Sequence, residues 1–394
     1  MTSTFAVVLA GGGARGAYEA GVLSVLLPAL EAGGMRPDVF VGTSAGAINA
    51  VGFASLNHRG AADSSAEVLN LWREVHAGAV FRGPVRTALR RLVGSRRRPR
   101  HAGALLDTTP LVATLERLVD WDRLHANVGD TDGGIAAVGV VATSSSTRHS
   151  TVFLEAAPGV ECPPPDRTRA IVYVPTALDA HHVLASSAIP VLFPAVEVER
   201  PVSAAGWYYD GGVRLNTPIK PALALGAHRV LVVATAPADA PVSTRHDPSA
   251  PPPGVAAAAA QLLYAMLDDR MVEDLHALAV RNEPGVEGQV VPWLFGGPDG
   301  DDAGMLGRLV REFLDGTAGG PRRRRGPLSS LTRRTLRRVL ASDPSRAELA
   351  SYLFLDTDFI EGSIRLGQRD GERSLGHDGA PIWHDPRVAG TPVG

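Results

Sequence analysis

The stretch FAVVLAGGGARGAYEAG, residues Phe5 to Gly21, places a glycine loop between two segments of regular structure. Phe5 to Ala10 is a short apolar run that ends at glycine, which predicts a buried strand. Gly16 to Glu31 carries apolar residues on a helical face and stops before Gly33, which predicts a helix. A loop between such a strand and helix lies at the carboxyl edge of a parallel sheet, where ligands and substrates bind.

A second loop of the same kind follows in VGTSAGAIN, residues Val41 to Asn49. It contains the pattern G-x-S-x-G, in which a serine on a strained strand-to-helix turn exposes its hydroxyl above the sheet. Gly42 and Gly46 remove side chains that would collide in that turn. The helix after Ser44 directs its unpaired N–H groups toward the same place. The motif therefore predicts a nucleophile at Ser44.

The order strand–helix–strand–helix predicts an α/β fold with right-handed crossovers and a mainly parallel central sheet. Further strands are predicted at Ile135 to Ala142, Thr151 to Leu154, Gly206 to Tyr209 and Arg229 to Thr235. Further helices are predicted at Ala45 to Leu56, Ser64 to His76, Pro110 to Val119, Pro218 to Leu225 and Ala256 to Ala279. Helices on both faces of the sheet give a three-layer α/β/α sandwich.

The first glycine loop also satisfies G-x-G-x-x-G, which is typical of dinucleotide sites. A second strand is predicted at Asp38 to Val41. A dinucleotide site needs an acidic residue at the end of that strand, whereas Asp38 lies at its start. If the carboxyl ends of the two strands are neighbours, the amides of Gly11 to Gly13 lie beside Ser44. Amide donors beside a nucleophile suit an oxyanion hole, so the loop is interpreted as catalytic.

A third segment, WYYDGGVRLNTP, contains Asp210 after an apolar run. Asp-Gly is a common turn pair, and a plain turn is the alternative interpretation. If the strand Gly206 to Tyr209 runs parallel to the others, Asp210 lies at the catalytic edge. A Ser–Asp–His triad would instead need a histidine downstream of Asp210. The candidates, none of them in a distinctive loop, are His228, His246, His276, His377 and His384.

Composition restricts the class of protein. The chain has 394 residues, 45% of them hydrophobic, and a formal net charge of −2, which does not favour nucleic acid as a partner. The single cysteine, Cys162, excludes an intramolecular disulfide, and no metal-ligand pattern implies a cofactor. No run approaches the ~18 apolar residues of a membrane span, and no signal peptide is recognisable. A cytoplasmic protein is expected.

The predicted organisation has three parts. Residues 1–240 form the catalytic core with a basic insertion at about 82–103, residues 241–254 form a Pro-rich loop, and residues 255–394 form a helical region packed on the core. A flexible Arg-rich loop is predicted at about 317–330. The arginine runs, Arg90 to His101 and Pro321 to Leu340, suit peripheral contact with an anionic membrane as well as a plain solvated face. Both lack aromatic residues for stacking nucleic-acid bases.

In this order, the glycine loop with Arg15, the G-T-S-A-G elbow and the D-G-G segment closely resemble the patatin-like phospholipase family. ASSAIPVLFPAV, Ala185 to Val196, is similar to a further segment of that family. The resemblance implies a patatin-like sandwich and a lipid acyl hydrolase of the phospholipase A or lysophospholipase type, with no cofactor. Two alternatives stay open: a carboxylesterase or thioesterase without a membrane substrate, and a nucleotide-binding or regulatory protein.

The resemblance also implies roles for individual residues. Ser44 takes the position of the nucleophile and Asp210 that of the base, in a dyad rather than a triad. Gly11, Gly12 and Gly13 take the oxyanion loop, with Arg15 in the basic position of that loop. Gly42 and Gly46 support the elbow.

Overall fold

The computed structural model describes residues 4–82, 104, 106–130, 134–238, 269–283, 289–302, 304–315 and 344–385. The Pro-rich loop and the Arg-rich loop at about 317–330 lie outside the described residues. The basic insertion lies outside them except at its edge, Arg82.

The strands of the described residues form one mixed, mostly parallel sheet in the order β5-β4-β3-β2-β1-β8-β9, with β7 paired to β3 and β6 to β7. They are β1 (Phe5–Leu9), β2 (Val39–Thr43), β3 (Ala137–Ser144), β4 (Ser150–Ala156), β5 (Ile171–Pro175), β6 (Val196–Val198), β7 (Gly206–Asp210), β8 (Arg229–Val233) and β9 (Trp293–Gly296). The pairs β1–β2, β1–β8, β2–β3, β4–β5 and β8–β9 are parallel.

Helices cover both faces of the sheet. Those of the described residues are α1 (Gly16–Ala32), α2 (Ala45–Ser55), α3 (Ala61–Glu74), α4 (Ala77–Val80), α5 (Thr109–Leu118), α6 (Trp121–Gly129), α7 (Ala180–Ser186), α8 (Ile219–Ala224), α9 (Asp269–Arg281), α10 (Met305–Asp315), α11 (Pro344–Ser351) and α12 (Thr357–Arg373). This is the α/β/α sandwich that the sequence predicts. No described helix is long and apolar enough to cross a membrane.

Strand β1 shows why the central strands are apolar throughout. Its side chains alternate between the two layers, as the period of a strand requires. Val7 and Leu9 join the core that contains α1, α2 and α12, whereas Ala6 and Val8 join the core that contains α8 and α9. With both faces covered, a polar residue on this strand would be buried, so the run contains none.

Strand β7 runs antiparallel to β3, with Asp210 opposite Ala142, so the parallel orientation considered for this strand is wrong. The other edge of β3 is occupied by β4, which leaves β7 on the side of β2. Strand β2 stops at Thr43, which lies opposite Val141, one residue before Ala142 along β3. The carboxyl ends of β2 and β7 therefore meet head to head. Asp210 therefore reaches the sheet edge that carries Ser44 from the opposite direction.

Three strands had no clear sequence signal: β5, β6 and β9. Strand β6 is three residues long, and β9 belongs to the C-terminal region, which contributes a strand as well as helices. The predicted helix Ala256 to Ala279 is described only from Asp269, where α9 begins. The last helix of the described residues, α12, packs on α1.

Candidate active site

The G-x-S-x-G segment forms a tight turn between β2 and α2. Ser44 has φ 55° and ψ −122°, a backbone conformation that non-glycine residues rarely adopt. A Cβ on Gly42 would lie within 3.0 Å of the Gly46 backbone, and one on Gly46 would lie equally close to the Leu9 carbonyl. The two glycines thus let the strand and helix approach closely enough to hold Ser44 in its strained geometry.

Asp210 lies beside Ser44 and is 5% exposed. The Gly212 N–H donates to Oδ1 over 2.7 Å. Burial raises the pKa of Asp210 to about 7, and the interactions of the carboxylate with Gly212 and with the Ser44 side chain only partly offset this rise. A carboxylate with a near-neutral pKa therefore lies beside the elbow hydroxyl.

The glycine loop runs past the same turn. A Cβ on Gly11 would lie 3.3 Å from the Ser44 Cβ, and Gly13 lines a pocket together with Ser44. The Gly11 amide donates to the Asn216 carbonyl over 3.1 Å, and the Ala14 amide donates to the Tyr352 carbonyl over 2.8 Å. Between these anchored ends, the amides of Gly12 and Gly13 donate to no atom of the described residues.

Arg15, the basic residue of the loop, is buried and extends toward residues 344–355, the C-terminal segment. Its Nη2 donates to the Glu348 Oε1 over 2.6 Å and to the Glu348 carbonyl over 2.8 Å. Its Nε donates to Ser351 Oγ over 2.8 Å, and the guanidinium lies 3.7 Å from the centre of the Tyr352 ring. The guanidinium thus binds groups of the C-terminal segment.

Two supporting residues had no individual sequence signal. Ser186, in the Ala185 to Val196 segment, accepts a hydrogen bond from the Ser44 amide over 2.8 Å and donates to the Val141 carbonyl. Asn216 follows the D-G-G segment, and its Nδ2 donates to the Gly11 carbonyl over 3.3 Å. The first residue fixes the backbone of the elbow and the second fixes one end of the glycine loop.

An apolar pocket opens beside Ser44, with an empty volume of about 840 Å³ counting the part open to solvent. Its walls come from α2, α3 and α5, from the loop between α7 and β6, and from the C-terminal segment. No lining residue is charged. Representative members are Ile48, Val68, Trp72, Leu111, Leu115, Phe193, Tyr352 and Leu353. The pocket was not foreseen, because its residues are ordinary helix-face positions in the sequence.

The described histidines take other places in the fold. His228 precedes β8, at the amino end of that strand, and its backbone N–H pairs with the Thr4 carbonyl. His384 stacks on Trp293 with ring centres 3.9 Å apart, and His276 and His377 are exposed. His246 lies outside the described residues. In the described part of the chain, no group of three or more His, Cys, Asp or Glu side chains could hold a metal ion.

The sequence profile of the patatin-like phospholipase family matches residues 7–223, which is more than half of the chain. The chain belongs to this family. The match includes the glycine loop, the elbow and Asp210, and it ends well before α11. Among curated proteins, no sequence matches the chain. The crystal structure of VipD from Legionella pneumophila is similar at 14% identity and a TM-score of 0.33, over 89% of this chain and 67% of that chain.

The patatin-like family is one of lipid acyl hydrolases, so the chain is classed with hydrolases of lipid metabolism. The family match and the mostly parallel sheet with helices on both faces agree on the fold.

Proposed function

We propose that this patatin-like protein is a serine-dependent lipid acyl hydrolase that cleaves carboxylic esters through a Ser44–Asp210 dyad. The observation that supports it most is the place of the buried Asp210 carboxylate beside the Ser44 side chain, which lowers the pKa of that carboxyl. A hydroxyl beside a base is the arrangement that nucleophilic catalysis requires. The strained turn directs that hydroxyl into a pocket that also contains the glycine loop.

In the first step, Ser44 Oγ attacks the ester carbonyl carbon and gives its proton to the Asp210 carboxylate. The carbonyl π electrons move to the oxygen, which becomes an oxyanion. When this tetrahedral intermediate collapses, the bond to the leaving alcohol breaks and Asp210 returns the proton to that oxygen. Water then attacks the acyl-serine with Asp210 again as base, which releases the fatty acid and restores Ser44.

The environment of Asp210 makes this proton transfer practicable. An ordinary aspartate is too weak a base to assist a serine hydroxyl efficiently at neutral pH. Burial raises the pKa of Asp210 to about 7, which brings its basicity close to the operating pH without a positively charged neighbour in the catalytic pair. The dyad therefore needs no histidine in this proposal.

The oxyanion is assigned to the amides of Gly12 and Gly13. These two donors make no hydrogen bond within the described residues, whereas the Gly11 amide is engaged by Asn216. A preorganised donor of this kind contributes roughly 10²–10³-fold to the rate in other acyl-transfer enzymes. Gly11 and Arg15 are assigned supporting roles, because the first anchors the loop and the second extends toward Glu348. Gly42 and Gly46 keep the elbow turn tight.

The pocket favours an ester with a long acyl chain. Its apolar walls begin at Ser44 and carry no charged side chain, so they suit a hydrocarbon tail and exclude a charged headgroup from this wall. The headgroup of a phospholipid or lysophospholipid would then lie outside the pocket. This supports a lipid ester rather than a nucleotide as the substrate.

Peripheral contact with an anionic membrane is part of the same proposal. The basic insertion leaves the described structure at Arg82 and returns near Leu106, whose amide donates to the Leu192 carbonyl over 2.9 Å. Ile189 and Phe193, on either side of Leu192, line the pocket, and Val191 in the same loop is 70% exposed. A basic segment joined to an apolar pocket rim suits a protein that works at a lipid surface from the cytoplasmic side.

Hydrolysis of a panel of phospholipids, lysophospholipids, acylglycerols and short-chain esters tests the proposal, with Ser44→Ala as the blank. We expect turnover of long-chain lipid esters that is absent in Ser44→Ala, and labelling of Ser44 by a fluorophosphonate probe. Turnover confined to short water-soluble esters or thioesters would instead indicate a carboxylesterase or thioesterase. A wild-type protein that neither reacts with the probe nor turns over any ester would overturn the proposal and favour a binding or regulatory role.

Vesicle sedimentation with and without anionic lipid, over a series of salt concentrations, tests the membrane contact. We expect binding that requires anionic lipid and weakens as salt rises. Absent or salt-insensitive binding would contradict it.

A further inference from the structure

The segment Pro344–Leu355 lies far outside the stretch that the family profile matches, yet it contacts the oxyanion loop directly. We propose that Glu348 is a positioning residue for ester hydrolysis: it fixes Arg15, and through Arg15 it holds the Gly12 and Gly13 amides in place. This inference rests on the proposed function, since it assigns the oxyanion to those amides.

The first support is the way in which Arg15 is bound. Its side chain is 2% exposed, and a guanidinium buried to this degree needs a partner for its charge. Glu348 Oε1 supplies it over 2.6 Å, and the Glu348 carbonyl accepts from the same Nη2. Ser351 Oγ and the face of the Tyr352 ring also contact the guanidinium. A side chain enclosed on several sides has one available position.

The second support is the short path from Arg15 to the catalytic amides. Arg15 ends the 3-10 turn Gly13–Arg15, and its own amide donates back to the Gly12 carbonyl over 3.1 Å. The Gly12 carbonyl and the Gly13 amide belong to one planar peptide unit, so fixing one fixes the direction of the other. Holding the Arg15 side chain therefore restrains the orientation of a proposed oxyanion donor.

The backbone of the same segment also contacts the loop. The Tyr352 carbonyl accepts from the Ala14 amide over 2.8 Å, and a Cβ on Gly13 would lie within 3.0 Å of that carbonyl. Gly13 has φ +56°, the left-handed region that glycine adopts without strain. The segment thus follows the loop closely at the residue that carries one of the catalytic amides.

Glu348 is itself held at its second oxygen. Its Oε2 accepts from the Gly307 amide in α10 over 2.7 Å, and a Cβ on Gly307 would lie within 3.0 Å of that oxygen. The carboxylate is therefore fixed between α10 and Arg15. Support for the oxyanion loop comes from the packed pair α10–α11 rather than from the core strands alone.

The segment has a second, separable contact with the site. Leu353 and Leu355 line the apolar pocket, whereas Glu348 does not. A change at Glu348 should therefore alter the chemical step, and a change at Leu353 should alter how the acyl chain is held. These two effects are distinguishable in kcat and KM.

The experiment compares Glu348→Ala, Glu348→Gln and Leu353→Ala in the full-length protein, with short-chain and long-chain esters. Glu361→Ala is the matched control, because Glu361 forms a surface ion pair with Arg73 over 2.7 Å, 35% and 40% exposed. Circular dichroism and thermal unfolding verify that each variant is folded. Labelling of wild type and Ser44→Ala by the fluorophosphonate probe tests the proposed function separately.

For Glu348→Ala we expect kcat to fall about ten- to a hundred-fold with both ester lengths, because small displacements of catalytic groups have effects of this size. KM should change less than about two-fold. Glu348→Gln, which keeps one acceptor oxygen but not the charge, should lower kcat less than Glu348→Ala does while leaving it below the wild-type value. Leu353→Ala should raise KM for the long-chain ester, and Glu361→Ala should match the wild type.

Two results would overturn the inference while leaving the proposed function intact. One is a folded Glu348→Ala protein with wild-type kcat and a wild-type labelling rate. The other is a loss in Glu348→Ala that appears in KM and depends on chain length as in Leu353→Ala, which would make Glu348 part of the pocket wall. Should Glu348→Ala not fold, Glu348→Gln decides: reduced kcat at unchanged KM supports the inference, and unchanged kcat contradicts it.

Discussion

The glycine loop is anchored at its two ends by regions of different kinds. At the first end, the Gly11 amide binds the Asn216 carbonyl, six residues after Asp210 and inside the family match. At the second end, the Ala14 amide binds the Tyr352 carbonyl, four residues after Glu348 and outside that match. One region holds a carboxylate next to Ser44, and the other holds a carboxylate next to Arg15.

The two carboxylates differ in what surrounds them. Asp210 interacts with uncharged groups, the Gly212 amide and the Ser44 side chain, and burial raises its pKa to about 7. Glu348 binds the Arg15 guanidinium and the Gly307 amide. A desolvated carboxylate without a cation can take up a proton near neutral pH, whereas the Glu348 carboxylate is held in place by its ion pair with Arg15. Neighbouring groups thus give the same functional group two different tasks.

The largest expected effect distinguishes residues that take part in the reaction from residues that only support the site. Ser44→Ala and Asp210→Asn should each lower kcat by about 10³-fold or more, because the two residues act as a unit in the same step. Steady-state hydrolysis of a long-chain ester, with a correction for background hydrolysis, measures this. Hydrolysis that survives in Asp210→Asn at a tenth of the wild-type rate would mean that Asp210 is a supporting residue like Glu348.

The two ends of the loop should also respond differently to a methyl group. In Gly13→Ala the new Cβ meets the Tyr352 backbone and the residue keeps a positive φ, so we expect a loss of about 3 kcal/mol in the free energy of unfolding. In Gly11→Ala the nearest atom is the Asn216 side-chain oxygen, which can move, so the loss should be about 1 kcal/mol.

Denaturant unfolding compares both variants with Gly52→Ala. At Gly52 in α2 the nearest atom is 3.7 Å from a new Cβ, and alanine should stabilise that helix by about 0.5–1 kcal/mol. Equal losses in the free energy of unfolding for Gly11→Ala and Gly13→Ala would show that the C-terminal segment does not restrain its end of the loop.

The pH dependence of the rate distinguishes the two carboxylates. Asp210 must be ionised to accept a proton, so kcat/KM should fall about ten-fold per pH unit below an apparent pKa of about 7. The same fall in kcat/KM should appear in Glu348→Gln, because Glu348 is not part of the proton transfer. A pH–rate profile for both proteins checks this. A fall that shifts to another pH or disappears in Glu348→Gln would show that Glu348 takes part in the proton transfer.

The last difference concerns how stability depends on pH. The folded-state pKa of Asp210 is raised above its unfolded value, so the folded protein binds the proton more tightly, and stability falls as pH rises from about 4 to about 7. Asp210→Asn removes this cost and should be about 1–3 kcal/mol more stable than wild type at pH 8, with little difference at pH 4. Urea unfolding at the two pH values measures it, and a variant that is less stable at pH 8 would contradict the desolvation of Asp210.

The sequence predicted the parts of the molecule in which chemistry restricts residue type. Strand β1, the elbow and the D-G-G segment need apolar, small or acidic residues at fixed spacing, and they were recognisable for that reason. The direction of β7 was not, because a short apolar strand has the same pattern in either orientation. Its pairing depends on where β2 ends beside β3, which is a tertiary fact.

The supports of the site were not predictable for a related reason. Glu348 is one glutamate among 41 acidic residues, and nothing near it in the sequence links it to Arg15, which lies 333 residues earlier. Ser186 and Asn216 each act through two hydrogen bonds to residues that are distant in the sequence, which no local pattern reveals. The apolar pocket consists of helix faces that are indistinguishable in sequence from ordinary core.

A crystal structure of the protein inactivated by a long-chain alkyl phosphonate would show the proposed site in use, since the adduct resembles the tetrahedral intermediate. We expect phosphorus bonded to Ser44 Oγ and one phosphonyl oxygen about 2.7–3.1 Å from the Gly12 and Gly13 amides. The alkyl chain should lie in the pocket between Val68 and Phe193. An adduct on another residue, or a phosphonyl oxygen directed away from both amides, would contradict the proposed site.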